Sequence, residues 1–166
     1  APTTNAYILW TLLESGTAPV ELSREIGHVK KISLQSEDSY IRALGANILF
    51  LAHDGKNAIS LASGLAASQE KNGAVGGGKT TITCSGGDSL KIETTSLAVL
   101  AWLRIDGRFA PNVESAMKWL FERCKSGRFG STQSTILAVK AINAYDKARA
   151  VPKNPGSVRL VVDGRP

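Results

Sequence analysis

The chain is short of the residues from which sites and anchors are most often built. It has two cysteines and two histidines in 166 residues. Cys84 and Cys124 lack metal-ligand spacing and His28 and His53 lie far apart, so neither a zinc site nor any other metal or cofactor is expected. No apolar run reaches the roughly 18 residues a membrane span requires. Ala1-Pro-Thr-Thr-Asn5 has neither the basic start nor the small-residue cleavage site of a signal peptide. Charged residues make up only 20% of the chain against 43% hydrophobic, which excludes global disorder. No Gly-x-Ser-x-Gly elbow and no Asp-rich metal motif occurs.

The charge that is present is unevenly placed. Residues 1–103 hold 8 Lys/Arg against 9 Asp/Glu, and residues 104–166 hold 12 against 5. A basic half can steer acidic partners. Here the basic residues are scattered and have no interleaved stacking aromatics, so they read as a solvated face and no nucleic-acid partner is expected.

What the chain has in abundance is apolar helix. Ala6–Leu13, Tyr40–Ala52, Ser96–Ile105 and Thr135–Tyr145 are apolar on nearly every face. Between them run stripes apolar on one side only: Leu22, Ile26, Val29 and Ile32; Ala58, Leu61, Ala62, Leu65 and Ala66; Val113, Ala116, Met117, Leu120, Phe121 and Cys124. Asp38 is placed to cap the second apolar helix, and Asp54-Gly55 and Asp106-Gly107 stop the second and third. A helix apolar all round must be surrounded, whereas a one-sided helix lies outside it. Short glycine-containing turns make consecutive helices antiparallel neighbours. The expected fold is all-α: an incomplete α/α toroid of about seven helices alternating inner and outer. A two-layer α-solenoid is the runner-up. Residues 1–150 form this unit. Residues 151–166 read as a linker, Pro152–Gly156, and a short β segment, Ser157–Asp163, that opens another domain. The start inside an apolar helix leads one to expect a piece of a longer protein.

Several residues invite a chemical reading. Gly73-Ala-Val-Gly-Gly-Gly78-Lys79-Thr80 satisfies the phosphate-loop pattern, in which backbone amides cradle phosphates, the lysine reaches the outer ones and the threonine holds magnesium. That motif requires a buried strand before it and a helix directly after it. Here polar Ser68–Asn72 precedes it and β-prone Thr81–Cys84 follows, so Gly73–Asp88 reads as a glycine-rich loop or short hairpin. Glu93 is placed at the start of an inner helix, where a lone carboxylate serves the helix dipole. His28 and His53 have no Ser, Cys or Asp partner by spacing. Trp10, Trp102 and Trp119 read as core. Cys124 is in register with Val113, Met117 and Leu120, as a small core residue would be, although pairing of Cys84 with Cys124 in an exported protein stays open. No catalytic residue emerges, and the chain is not expected to be an enzyme.

The most distinctive segment is Gly127-Arg-Phe-Gly130 followed by Ser131-Thr-Gln-Ser-Thr-Ile-Leu-Ala-Val-Lys-Ala-Ile142. It closely resembles the last inner helix of the thioester-containing domain of α2-macroglobulins and complement components. Lys91–Leu103 resembles the inner helix before it, and Val113–Arg123, with Lys118-Trp-Leu120, the outer helix between them. Asn5–Trp10 and Ser39–Leu51 are similar to earlier inner helices, so the resemblance covers residues 3–146 in order.

The resemblance implies an α/α toroid in an extracellular or periplasmic protein that traps proteases or tags surfaces covalently. The bond is made by an internal thioester between a cysteine and a glutamine three residues later. Here Gly87 lies three residues after Cys84 and Gly127 three after Cys124. Neither cysteine can form that pair, and neither His28 nor His53 inherits an acyl-transfer role. The implied reading is the C-terminal portion of the domain, a scaffold part with the thioester outside this chain. Its partners are the parent's other domains and, through the parent, proteases or cell surfaces. Without the helices that precede it, the fragment is expected to have apolar faces without neighbours near Ala1–Leu13 and to self-associate or repack there. The alternative is an independent toroid enzyme or a nucleotide binder using Gly73–Thr80.

Overall fold

The computed structural model describes residues 2–150. Seven helices follow one another: α1 (Pro2–Glu14), α2 (Ser23–Gln35), α3 (Ser39–Leu51), α4 (Gly55–Ala67), α5 (Gly87–Leu103), α6 (Ala110–Glu122) and α7 (Thr132–Ala150). The proposed linker and β segment at 151–166 lie outside the described residues. No described helix is long and apolar enough to cross a membrane.

The helices form two layers. The odd-numbered ones make a continuous inner row, with α1 against α3, α3 against α5 and α5 against α7. The even-numbered ones lie outside it: α2 and α4 pack on α3, and α6 packs on α5. This is the α/α toroid arrangement expected from the alternation of all-round and one-sided apolar helices. Local signals place the helix starts. The Asp38 carboxylate accepts the Tyr40 amide at the head of α3, and Asp54 accepts Asn57 at the head of α4. A proline opens both the 3-10 turn at Pro19–Leu22 and α6.

Polar side chains pin the layers together at few points. Buried Asn47 of α3 donates through Nδ2 to the Ala43 carbonyl at 2.9 Å and the Leu97 carbonyl of α5 at 3.0 Å. Its Oδ1 accepts Arg104 Nε at 3.1 Å, so the amide is satisfied on both sides. Trp102 Nε1 donates across the layers to the Ala62 carbonyl at 3.0 Å. Gly45 lets α3 approach α2 so closely that a Cβ there would overlap the Ser33 side chain.

Three expectations are corrected. First, only α3 and α5 are surrounded. Ile8 and Leu12 of α1 are 50% and 40% exposed, and Ile136 and Val139 of α7 are 54% and 42% exposed. These helices stand at the two ends of the inner row and meet each other through polar side chains, Gln133 with Tyr7 and Lys140 with Glu14, which leaves these apolar residues uncovered. Second, α5 begins at Gly87, well before Ser96, because Gly86 in an extended conformation starts the helix ahead of the apolar stretch. Third, the third one-sided stripe ends early. Phe121 is 49% exposed, and Cys124 lies beyond the end of α6 and is exposed. Of the loop or short hairpin expected at Gly73–Asp88, the structure has the loop, and Thr80–Cys84 forms no hairpin. The only bridge in that region joins Gln69 to Val75.

Candidate functional site

The region that gathers most of the polar sequence signals is the mouth of the inner row, where Gly73–Gly86 crosses the ends of α3 and α5. Its organiser is Asp38, which is almost fully buried. Besides capping α3, its Oδ1 accepts the Lys79 amide at 3.0 Å. Its Oδ2 accepts the Thr80 amide at 3.1 Å and the Thr80 hydroxyl at 2.7 Å. The Gly77 carbonyl accepts the Ser39 amide at 3.1 Å, and Thr95 Oγ1 accepts the Val75 amide at 2.9 Å. The loop is thereby sewn to the two surrounded helices.

This arrangement decides the phosphate-loop motif. The amides of Lys79 and Thr80, which would face a phosphate, are already bound to a carboxylate. Lys79 reaches outward to Glu37 at 3.4 Å, in a pair that is largely exposed. A helix, α4, precedes the motif, and six non-helical residues at 81–86 follow it. The glycines serve close packing instead. A Cβ at Gly76 would meet Glu70 Oε1 at 2.7 Å, and one at Gly78 would meet Thr94 Oγ1 at 2.6 Å. At Gly73, whose φ is +98°, a Cβ would overlap the Ser115 backbone of α6. The nucleotide-binding alternative has no support in this geometry.

Glu93 is also corrected. It lies two turns inside α5, not at its start, and is fully buried. Neither of its carboxyl oxygens has a partner in normal hydrogen-bond geometry. Burial pushes its pKa above the ordinary carboxyl range, while the Ser85 and Tyr40 hydroxyls beside it act in the opposite sense. The Tyr40 hydroxyl, buried and likewise without a partner, is pushed up by its own burial and then by the Glu93 charge. Sequence reading missed this pair, since nothing in Lys91-Ile-Glu-Thr distinguishes a buried glutamate from one on an exposed turn.

The remaining candidates stay apart. His28 and His53 are both exposed, on α2 and just past α3, and neither makes a side-chain hydrogen bond among the described residues. Cys84 and Cys124 are free thiols, and no cluster of three or more His, Cys, Asp or Glu residues suited to a metal occurs among the described residues. Trp10, Trp102 and Trp119 are buried, as expected.

The Gly127–Tyr145 segment is a structural joint. In its turn Ser126 and Gly127 take positive φ, and buried Phe129 anchors it. Ser131 Oγ caps α7 by accepting the Ser134 amide at 3.1 Å, and Thr135 Oγ1 accepts the Phe129 amide at 3.0 Å. Gly130, at φ +82°, lies against Ser89 of α5, whose hydroxyl accepts the Ser131 amide at 3.1 Å. α7 is tied to α1 by Gln133 donating to the Tyr7 hydroxyl at 2.7 Å and by Lys140 pairing with Glu14 at 3.2 Å. Glu14 also pairs with Arg104 of α5.

The family model of the A-macroglobulin TED domain matches residues 3–145. Neither the comparison with curated proteins nor that with solved structures gives a significant match.

Proposed function

Because this chain belongs to the A-macroglobulin TED domain family, we propose that it is a scaffold part of a thioester-containing domain within a larger, extracellular α2-macroglobulin-like protein. In this reading the parent protein attaches itself covalently to a protease or surface through a thioester. The 166 residues hold the toroid wall that supports that bond and do not form it.

One observation carries the reading: the Gly127–Ile142 signature is built as a joint between inner helices, with the Ser131 hydroxyl capping α7 and the Ser131 amide donating to the Ser89 hydroxyl of α5. The two cysteines agree with it. Both are exposed, and neither is followed three residues later by glutamine. The outer faces of α1 and α7, with Ile8, Leu12, Ile136 and Val139 uncovered, supply two surfaces on which further inner helices of the same domain would pack.

Methylamine, which opens a thioester and frees its thiol, tests the assignment. Treatment of the parent protein is expected to release one new thiol, and treatment of residues 1–166 alone none. A thiol released from the isolated chain overturns the scaffold reading. A parent sequence lacking Cys-x-x-Gln overturns the thioester role.

A further inference from the structure

Glu93 has no part in the scaffold reading, yet a fully buried carboxyl without a counter-charge is costly to keep. The polar groups that act on it can be named. Tyr40 faces it from α3, and Tyr7 of α1 lies close enough to Tyr40 to act on it electrostatically. The Ser85 hydroxyl faces it from the loop, and the Ile82 backbone approaches the Tyr40 hydroxyl. Among the described residues no lysine or arginine acts on the carboxyl. The walls are thus helices on two sides and, on the third, the irregular segment Thr81–Ser85.

That segment is a compact turn anchored at one end. Asp38 clamps one end through the Lys79 and Thr80 amides. The other end is the exposed pair Gly86–Gly87, where Gly87 has φ +55° and an added Cβ would meet nothing within 4 Å at either residue. Between them a tight turn closes on itself, with the Ser85 amide on Thr81 Oγ1 at 2.7 Å and Cys84 in the left-handed region at φ +54°. Of the groups named around Glu93, Ser85 is carried by a non-helical segment, which can lift without separating packed helices.

We propose that Thr81–Ser85 is a proton-controlled lid, closed over Glu93 while its carboxyl is protonated and lifted about the Gly86–Gly87 hinge when the carboxyl ionises. The sign follows from linkage. The closed state binds the proton more tightly than the open one, so closure is fully favoured below the ordinary carboxyl pKa. It weakens as pH rises through the raised value. Because Thr80, Thr81, Cys84 and Ser85 also line a shallow groove with Thr3 and Lys79, lifting the lid reshapes that groove. The device would let local pH set the shape of the toroid mouth.

Hydrogen exchange of the 81–86 amides of the 166-residue chain, followed from pH 4 to 9 and corrected for intrinsic rates, tests the lid. Protection is expected to fall about tenfold per pH unit between the two pKa values, while α3 and α5 keep theirs. Glu93→Gln should abolish the dependence. Tyr40→Phe, which keeps the acid and removes a hydroxyl that favours its ionised form, should move the midpoint upward, and it carries the test if Glu93→Gln fails to fold. Protection independent of pH in the unaltered chain, an unchanged dependence in Glu93→Gln, or an unmoved midpoint in Tyr40→Phe overturns the proposal.

Discussion

Asp38 Oδ2 holds both the amide and the hydroxyl of Thr80, at 3.1 and 2.7 Å, across 42 residues of chain. The residue that starts α3 is therefore also the one that positions the glycine-rich loop. Asp38→Ala leaves the Tyr40, Lys79 and Thr80 amides without their acceptor, and each bond to a charged acceptor contributes about 1.5–3 kcal/mol. Allowing for water entering the site, a loss of about 3 kcal/mol is expected in denaturant unfolding.

Lys79→Ala should behave differently. Its ion pair with Glu37 is exposed and contributes at most about 0.5 kcal/mol. Mg-ATP is expected to leave the melting temperature of both the unaltered chain and this variant unchanged. A nucleotide-induced rise that Lys79→Ala abolishes would restore the phosphate-loop reading.

Two helix glycines should respond with opposite signs. At Gly45 a Cβ overlaps Ser33, whose own Cβ is fixed to α2, so Gly45→Ala should cost about 2 kcal/mol. At Gly64 the nearest atom to a new Cβ is the end of the Arg42 side chain at 3.7 Å, and Gly64→Ala should stabilise by about 0.5–1 kcal/mol. Paired urea titrations read both changes.

Asp54 sets an acid limb of stability. The 2.7 Å contact with Lys30, followed by bonds from Asn57, holds its pKa below the ordinary 3.8. A depressed carboxyl contributes stability above its unfolded pKa and loses it as pH falls through the folded value. Lys30→Met should flatten the stability profile below pH 4. The difference should shrink in high salt, because the lysine side chain is 41% exposed.

The uncovered ends of the inner row should govern association. Ile136→Ser with Val139→Ser alters two exposed positions, so the change in unfolding free energy should stay within about 0.5 kcal/mol per site. If these faces pack against other helices of the domain, the isolated chain should self-associate in sedimentation velocity, and the double variant should do so less. A monomeric unaltered chain overturns this expectation.

Much of the fold is legible in the order of residues, because periodicity and caps are local. The alternation of all-round and one-sided apolar helices requires an inner and an outer layer. Asp38 marks the start of α3 and Asp54-Gly55 the stop after it, whereas the capping of α4 by the same Asp54 is seen only in the structure. Tertiary structure decided what depends on neighbours. α1 and α7 have the composition of surrounded helices but stand at the ends of the row, so Ile8 and Ile136 face solvent. Cys124 continues the α6 stripe in register, yet the helix ends at Glu122 and leaves it exposed. Glu93 shows the same dependence most clearly. Its sequence context is that of any helical glutamate, and only the closure of α3 and the Thr81–Ser85 segment around it turns a solvated charge into a buried acid. A helical pattern states which side chains share a face; it does not state what the rest of the chain brings against that face.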